Sequence, residues 1–314
     1  MIGKKNVFLS VYMVTFNSGE VLQNCLRSLK KAVKYANISC ELRVVDNNSS
    51  DNSVEIVLKN WPDAKVYRNS VNKGYAAAIN QATLDSSSNW LLFLNPDTVV
   101  SPNLFVLLKY VNKIPDVCIF SPVLTDKGGN IERTSYKWPN LTKELIRFLG
   151  FEQLTKKLIV KANYPLPGRG KVDFPYPVGE GIVVDYVAGA SFFLRRKVWD
   201  SIGLFDEEFF LYHEEMEWCY RASKHGFQIF VFPNYKVFHY AEHSSSERPK
   251  EVVFWKYKGL LHFYEKHRSI ISRLVFRFAL GISFGFKTIR AICRKRMEDA
   301  RVFIKIVELS FRKQ

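Results

Sequence analysis

Four sets of polar side chains follow directly on apolar runs. Thr15-Phe16-Asn17 follows LSVYMV, Asp46-Asn47-Asn48-Ser49-Ser50-Asp51 follows ELRVV, and Asn95-Pro96-Asp97 closes WLLFL. The fourth is FDEEFFLYHEEMEWCYR, which sets Glu214, Glu215 and Glu217 among aromatics. Position gives these residues weight, because in open α/β sheets ligands bind beyond the carboxyl ends of the strands. Asp51 reads as a helix cap ahead of Val54. Asp46 ends its strand where Ser49, Ser50 and Asp51 already supply caps, so it reads as a ligand-facing carboxylate, an acceptor for a base N–H. Asn-Pro-Asp is good turn chemistry. Equally, one carboxylate suffices for a hard cation such as Mg²⁺ or Mn²⁺ when phosphate oxygens supply the rest of the shell. At 100° per residue Glu214 and Glu217 share a helix face and Glu215 turns away. Arg221 stands at i+4 from Glu217 and suits an ion pair. The cluster can then serve two tasks, and the plainer reading is an acidic first turn favoured by the helix dipole. His239 closes the run Phe230–Phe238, as a structural histidine or as an imidazole ligand to a Mn²⁺-type ion.

The elements that must position these groups follow from periodicity. Asn6–Thr15, Glu41–Asp46, Lys65–Asn69 and Trp90–Asn95 read as strands, and Val21–Tyr35, Ser53–Asn60 and Tyr75–Ser86 as helices. The first long helix carries Leu22, Leu26, Leu29 and Val33 on one face. Strands and helices alternating at this spacing predict a parallel α/β sheet. From Lys127 to Val184 the pattern degrades into a Pro- and Gly-rich interval, expected to be a long excursion or a mobile loop over a site. Order returns at Val184–Arg195, and beyond His239 the chain turns helical.

Composition narrows the class. The chain has 314 residues, enough to bury a full core without staples. Its five cysteines form no C-x-x-C pair, which argues against a disulfide framework or zinc ribbon and for a reducing compartment. The apolar N-terminal stretch reads as a strand, not a signal peptide. Net charge is +16, and residues 247–314 carry 17 Lys+Arg against 6 Asp+Glu, so the basicity belongs to the tail.

The order of the blocks VYMVTFNSGEVLQNCLRSL, VVDNNSSDNS, NKGYAAAIN, LFLNPDT, VAGASFFLRRKVWDSIGLFDEEFFLYHEEMEWCYR and VFHY resembles the inverting nucleotide-sugar glycosyltransferases of family 2, in particular their bacterial rhamnosyltransferase branch. The resemblance runs from about Asn6 to Ser246. It implies an A-type fold, a Rossmann-like and mostly parallel sheet flanked by helices, with a C-terminal helical extension. Carried over by position, it puts Thr15, Asn17 and Asp46 at the nucleotide and Gly74 and Asn80 along the nucleoside diphosphate. Asp97 matches the last Asp of the family's Asp-x-Asp metal motif, and Asn95 replaces the first, with one negative charge fewer. His239 matches the distal metal ligand. Glu215 aligns with the general base, usually Asp, with Glu214 beside it as the alternative. No covalent intermediate is needed in an inverting transfer, so no serine or cysteine nucleophile is expected.

From Arg273 to Lys305 a continuous 100° wheel gathers Arg273, Arg277, Lys287, Arg290, Arg294, Arg301 and Lys305 in one sector. Leu274, Phe278, Ile282, Phe286, Ile289, Ile292, Phe303 and Val307 fall opposite, with Phe276 and Phe284 as exceptions. The longest uncharged run is too short to span a bilayer, and the pattern suits a helix lying in the membrane interface. The competing reading packs the apolar side on the catalytic domain. The expectation is a glycosyltransferase domain over residues 1–246 and a basic amphipathic tail over 247–314. The protein is expected to be cytoplasmic and peripheral on the inner face of a bacterial plasma membrane. Its partners would be a dTDP-rhamnose or UDP-sugar donor, a lipid-linked oligosaccharide acceptor and anionic lipid, with Mg²⁺ or Mn²⁺ as cofactor and no nucleic acid. Two rivals remain: a sugar-nucleotide pyrophosphorylase, which calls for a Gly-rich phosphate loop that Thr15-Phe16-Asn17-Ser18-Gly19 lacks, and a basic nucleic-acid-binding protein. NAD chemistry is disfavoured, because no G-x-G-x-x-G follows the first strand.

Overall fold

A computed structural model describes residues 7–150, 168–240 and 249–312. In chain order the elements are β1 (Leu9–Thr15), α1 (Gly19–Ala36), β2 (Cys40–Asp46), α2 (Ser53–Asn60), β3 (Lys65–Arg68), α3 (Tyr75–Thr83), β4 (Trp90–Leu94), β5 (Thr98–Val100), α4 (Asn103–Val111), β6 (Ile119–Thr125), β7 (Ser135–Tyr136), α5 (Leu141–Phe148), β8 (Gly170–Phe174), β9 (Gly179–Val184), β10 (Tyr186–Val187), β11 (Ser191–Arg195), α6 (Arg196–Ile202), α7 (Glu214–Lys224), β12 (Ile229–His239), α8 (Pro249–His267), α9 (Ile270–Cys293) and α10 (Met297–Phe311). The chain divides into two compact units. Of the described residues, 7–137, 168–207 and 215–240 form the first, and 138–150, 208–214 and 249–312 the second. The expected boundary at residue 246 lies outside the described residues.

The first unit is built on one sheet of order β3-β2-β1-β4-β11-β6-β12-β9-β8, with β5 also paired to β12. Its first four strands are parallel, as the alternation predicts. β4 is buried on both faces by Trp, Leu and Phe, and β1 and β2 are mostly buried on both, with Tyr12 and Arg43 among the covered side chains, the condition under which parallel strands are stable. On α1, Leu22, Leu26 and Leu29 face the core and Asn37 ends the helix in the left-handed conformation. Beyond β4 the sheet becomes mixed, because β11 runs antiparallel to both β4 and β6 and β12 antiparallel to β5.

The interval 127–184 is more ordered than its composition suggests. It holds β7, α5 and the hairpin β8–β9 that completes the sheet edge, and its middle, 151–167, lies outside the described residues. Glycine hides the hairpin from periodicity: a Cβ on Gly181 would lie 2.7 Å from the Phe174 ring. Phe174 takes the space a side chain would fill and packs against Phe230 and Phe232.

The second unit is helical. Tyr264 stacks on Phe276 at 4.2 Å, Tyr257 meets Phe284 edge-on, Phe148 of α5 packs against Phe276, and Arg277 pairs with Glu265. Two corrections to the helical wheel follow. The tail is not one helix, because the chain turns through left-handed Lys295 between α9 and α10, which breaks the phase linking Phe303 and Val307 to the α9 stripe. The exceptions, Phe276 and Phe284, are the packed face of α9, while Leu274, Phe278, Ile282, Phe286, Ile289 and Ile292 are exposed. Gly281 fixes that choice, since a Cβ there would lie 2.5 Å from the Phe311 ring. No helix among the described residues is long and apolar enough to cross a membrane.

Candidate active site

The carboxyl ends of β1 and β2 stand in register, Thr15 opposite Asp46, and their loops knit together. Thr15 Oγ1 donates to Asp46 Oδ1 at 3.0 Å, and the backbone N–H of Ser49 donates to Asp46 Oδ2 at 3.1 Å. Asn17, left-handed at φ 52°, donates its backbone N–H to Ser49 and accepts from Ser50 through Oδ1. Asp51 does more than cap one helix: Oδ1 accepts from the N–H and hydroxyl of Ser53, and Oδ2 from the N–H of Gly19. Burial alone would raise its pKa, but these bonds hold it below the ordinary value. Gly74, at φ 86° where L side chains are strained, opens α3, and its carbonyl accepts from Asn47.

Asn80, expected along the diphosphate, is bonded to the segment 205–207. Its amide donates to the Phe205 carbonyl and to Glu207, and its Oδ1 accepts from the Phe205 N–H. Both amide hydrogens serve the 205–207 segment, so Asn80 latches that segment to α3.

A second group gathers at the end of β4. Asn95 donates its backbone N–H to the Ala190 carbonyl, and its own carbonyl accepts from Thr98 Oγ1. Buried Asp97 precedes β5, and β5 pairs with the end of β12 so that His239 lies opposite Thr98. His239 Nε2 is thereby 3.5 Å from Asp97 Oδ1. Burial lowers the imidazole pKa, but Asp97 and then Glu132 outweigh it, and the net shift is upward.

Glu132 is the residue that sequence reasoning missed. Its Oε2 lies 3.3 Å from His239 Nδ1. The nearest sequence signal is the turn Asp126-Lys127-Gly128-Gly129-Asn130, which returns the chain to β6, but nothing local says that β12 lies alongside.

The glutamates separate as their helical phases require. Glu217 is fully buried and doubly bonded to Arg221 at 3.0 and 3.1 Å, which leaves it a structural ion pair, and Glu214 is buried. Glu215 packs beside Gly189, where a Cβ would meet its carboxyl carbon at 3.7 Å. Gly189 adjoins Ala190, the residue bonded to Asn95, so Glu215 and the Asn-Pro-Asp turn share one end of the sheet. After burial, the charge of Glu215 is the largest influence raising the pKa values of Tyr186 and Cys219.

Asp97 and His239 fit a divalent cation by donor chemistry: one hard oxygen and one imidazole nitrogen, close enough to share an ion. Among the described residues no three His, Cys, Asp or Glu side chains converge as a metal cluster. A cation there would take the rest of its shell from phosphate oxygens and water.

Comparison with known proteins speaks to the family and the fold. Residues 10–161 match the family model described as glycosyl transferase family 2. The chain is 22% identical to the N-acetylglucosaminyl-diphospho-decaprenol L-rhamnosyltransferase of Mycobacterium tuberculosis over 96% of this chain and 98% of that protein. It is 24% identical to the rhamnosyltransferase WbbL of Escherichia coli over 66% of this chain and 74% of that one. Among solved structures, S. aureus TarS 1–349 superposes with TM-score 0.51 at 14% identity, covering 96% and 90% of the two chains. GalNAc-T7 with UDP, GalNAc and Mn²⁺ superposes with TM-score 0.53 at 18% identity, covering 75% of this chain and 43% of that one. At these identities the two structural likenesses speak for the fold.

Proposed function

From a chain that belongs to glycosyl transferase family 2 through residues 10–161, and is therefore a glycosyltransferase, we propose a finer reading. It transfers L-rhamnose with inversion from a pyrimidine nucleoside diphosphate donor, dTDP-rhamnose before a UDP-sugar, to a hydroxyl of a lipid-linked saccharide in surface polysaccharide synthesis. The observation that carries it is the meeting, at the carboxyl end of β4, of the Asp97–His239 pair with the Glu215 side of the Gly189–Ala190 turn. The names of the M. tuberculosis and E. coli relatives support the sugar. The pyrophosphorylase and nucleic-acid readings give way to the family.

Each residue then has a task. Thr15, Asn17 and Asp46 shape the nucleotide end, where their hydrogen bonds set the loop before the donor arrives. Gly74 lets the backbone approach the diphosphate without a side chain in the way. Asn95 holds the turn that presents Asp97. Asp97 and His239 would hold Mn²⁺ or Mg²⁺, which supplies Lewis-acid stabilisation to the departing diphosphate. Glu215 takes the proton of the acceptor hydroxyl as its oxygen attacks the anomeric carbon on the face opposite the leaving group, and the bonding electrons leave with the diphosphate. Such base catalysis contributes about 10²–10⁴-fold. Glu214 is the neighbouring alternative, and Arg221 removes Glu217 from contention.

The exposed stripe of α9 supports attachment to the inner face of the plasma membrane. Six apolar side chains recur every three or four residues, Phe278 and Phe286 are 62% and 69% exposed, and exposed Lys287, Arg290 and Arg294 lie on the same helix or just past it. Apolar burial and attraction to anionic lipid act together in such helices.

The test is release of nucleoside diphosphate from a panel of dTDP- and UDP-sugars with Mn²⁺ or Mg²⁺ and a lipid-linked acceptor. Release that needs dTDP-rhamnose, cation and acceptor is expected, and preference for another donor would overturn the sugar. Sedimentation with anionic vesicles tests the stripe. Phe278→Glu with Phe286→Glu should weaken binding by at least about 10-fold, from the apolar burial each ring contributes. Unchanged sedimentation would remove the stripe from attachment.

A further inference from the structure

We propose that Glu132 is a positioning residue for His239, fixing the imidazole so that Nε2 faces the cation site. The proposal rests on the reading that Asp97 and His239 hold the cation, and the topology carries it. β12 lies between two neighbours at its carboxyl end: Phe238 pairs with Val99 of β5 on one side and with Thr125 of β6 on the other. His239, the next residue, therefore stands between whatever β5 and β6 present. From the β5 side comes Asp97, 3.5 Å from Nε2, and from the β6 side comes Glu132, 3.3 Å from Nδ1.

The backbone under Glu132 is built to hold that place. Past β6 the chain reverses through Asp126–Asn130. Asp126 Oδ1 accepts from the N–H groups of Gly128 and Asn130, and Gly129 takes φ 77°. The returning strand bridges Ile131 to Thr125, and the N–H of Glu132 donates to the Leu124 carbonyl at 2.8 Å. Thr134 Oγ1 then links the two limbs, accepting from the Leu124 N–H and donating to the Glu132 carbonyl. The carboxylate thus projects from a fixed return rather than from a free loop.

A carboxylate accepting from Nδ1–H selects the tautomer whose Nε2 lone pair is available and holds the ring plane, and removal of such partners typically costs about 10–100-fold in metal affinity. The test measures Mn²⁺ affinity directly, by electron paramagnetic resonance of free Mn²⁺ or by calorimetry, on the full chain with saturating dTDP and no acceptor. Glu132→Ala should weaken Mn²⁺ binding by about 10–100-fold while leaving dTDP binding in EDTA unchanged. Glu132→Gln keeps an oxygen that accepts from Nδ1–H and should bind within about threefold of the parent protein. Glu132→Ala at parental affinity, with His239→Ala impaired, would overturn the positioning role and leave the cation reading intact. Glu132→Gln as weak as Glu132→Ala would overturn the hydrogen bond as its route. Parental affinity in both His239→Ala and Asp97→Ala would overturn the cation reading, and this proposal with it.

Discussion

The two polar regions at the carboxyl ends of the strands are made differently. Around Thr15, Asp46 and Asp51, residues close in sequence or in register bond to one another, and the left-handed positions are Asn17 and Asn48, a type that tolerates that backbone better than most residues with a side chain. Around Asp97, Glu132, His239 and Glu215, groups from distant parts of the chain bring like charges and an imidazole together. None of these four residues has a left-handed backbone. The first region has the economy of a scaffold. The second gathers charged groups from strands far apart in sequence, which is why the proposed chemistry is assigned to it.

The comparison breaks most decisively at the base. Glu215→Gln should lower kcat by about 10²–10⁴-fold with little change in donor KM. If Glu214→Gln is the dead variant and Glu215→Gln turns over normally, the base is one residue earlier. Next comes Asp97→Ala, expected to lower donor affinity and turnover together, about 10²-fold, and to abolish the response to added Mn²⁺. Parental rates from Asp97→Ala in EDTA would place that carboxylate with the scaffold.

Two stability measurements sharpen the contrast with smaller effects. Burial first, and then the positive charges of Lys256 and Arg147, lower the His213 pKa to about 4. The imidazole is neutral in the fold and titrates near 6.5 when unfolded. A depressed histidine contributes stability that is complete above pH 6.5 and lost as pH falls toward 4, with a slope of at most about 1.4 kcal/mol per pH unit. Urea unfolding of the parent at pH 7 and pH 5 should show that loss, and His213→Asn, which suits φ 75°, should reduce it. An equal pH dependence in both proteins would remove His213 as its source. Asp51→Ala loses bonds at the starts of α1 and α2 and should cost about 1 kcal/mol of stability with kcat unchanged. A large fall in kcat would mean that the scaffold region takes part in the chemistry after all.

What the sequence by itself determined is the half of the molecule whose organisation is local. The order from β1 to β4 follows from a switch between periods of two and 3.6, and Thr15, Asp46 and Asp97 fall at strand ends for the same reason. The pairing of Glu217 with Arg221 was equally legible, because i and i+4 meet on any helix. Tertiary structure alone decided the rest. The bond from Asn80 to the Phe205 backbone depended on a segment about 125 residues away. The role of Glu132 waited on which strand would lie beside β6, and strand partners separated by a hundred residues leave no periodic trace. On α9 both faces are apolar, so the wheel could not tell the packed one from the exposed one. The close approach of Gly281 to Phe311 and the stacking of Phe276 on Tyr264 decided it. Periodicity records which side chains share a face, and only packing against a shaped neighbour determines which face is covered.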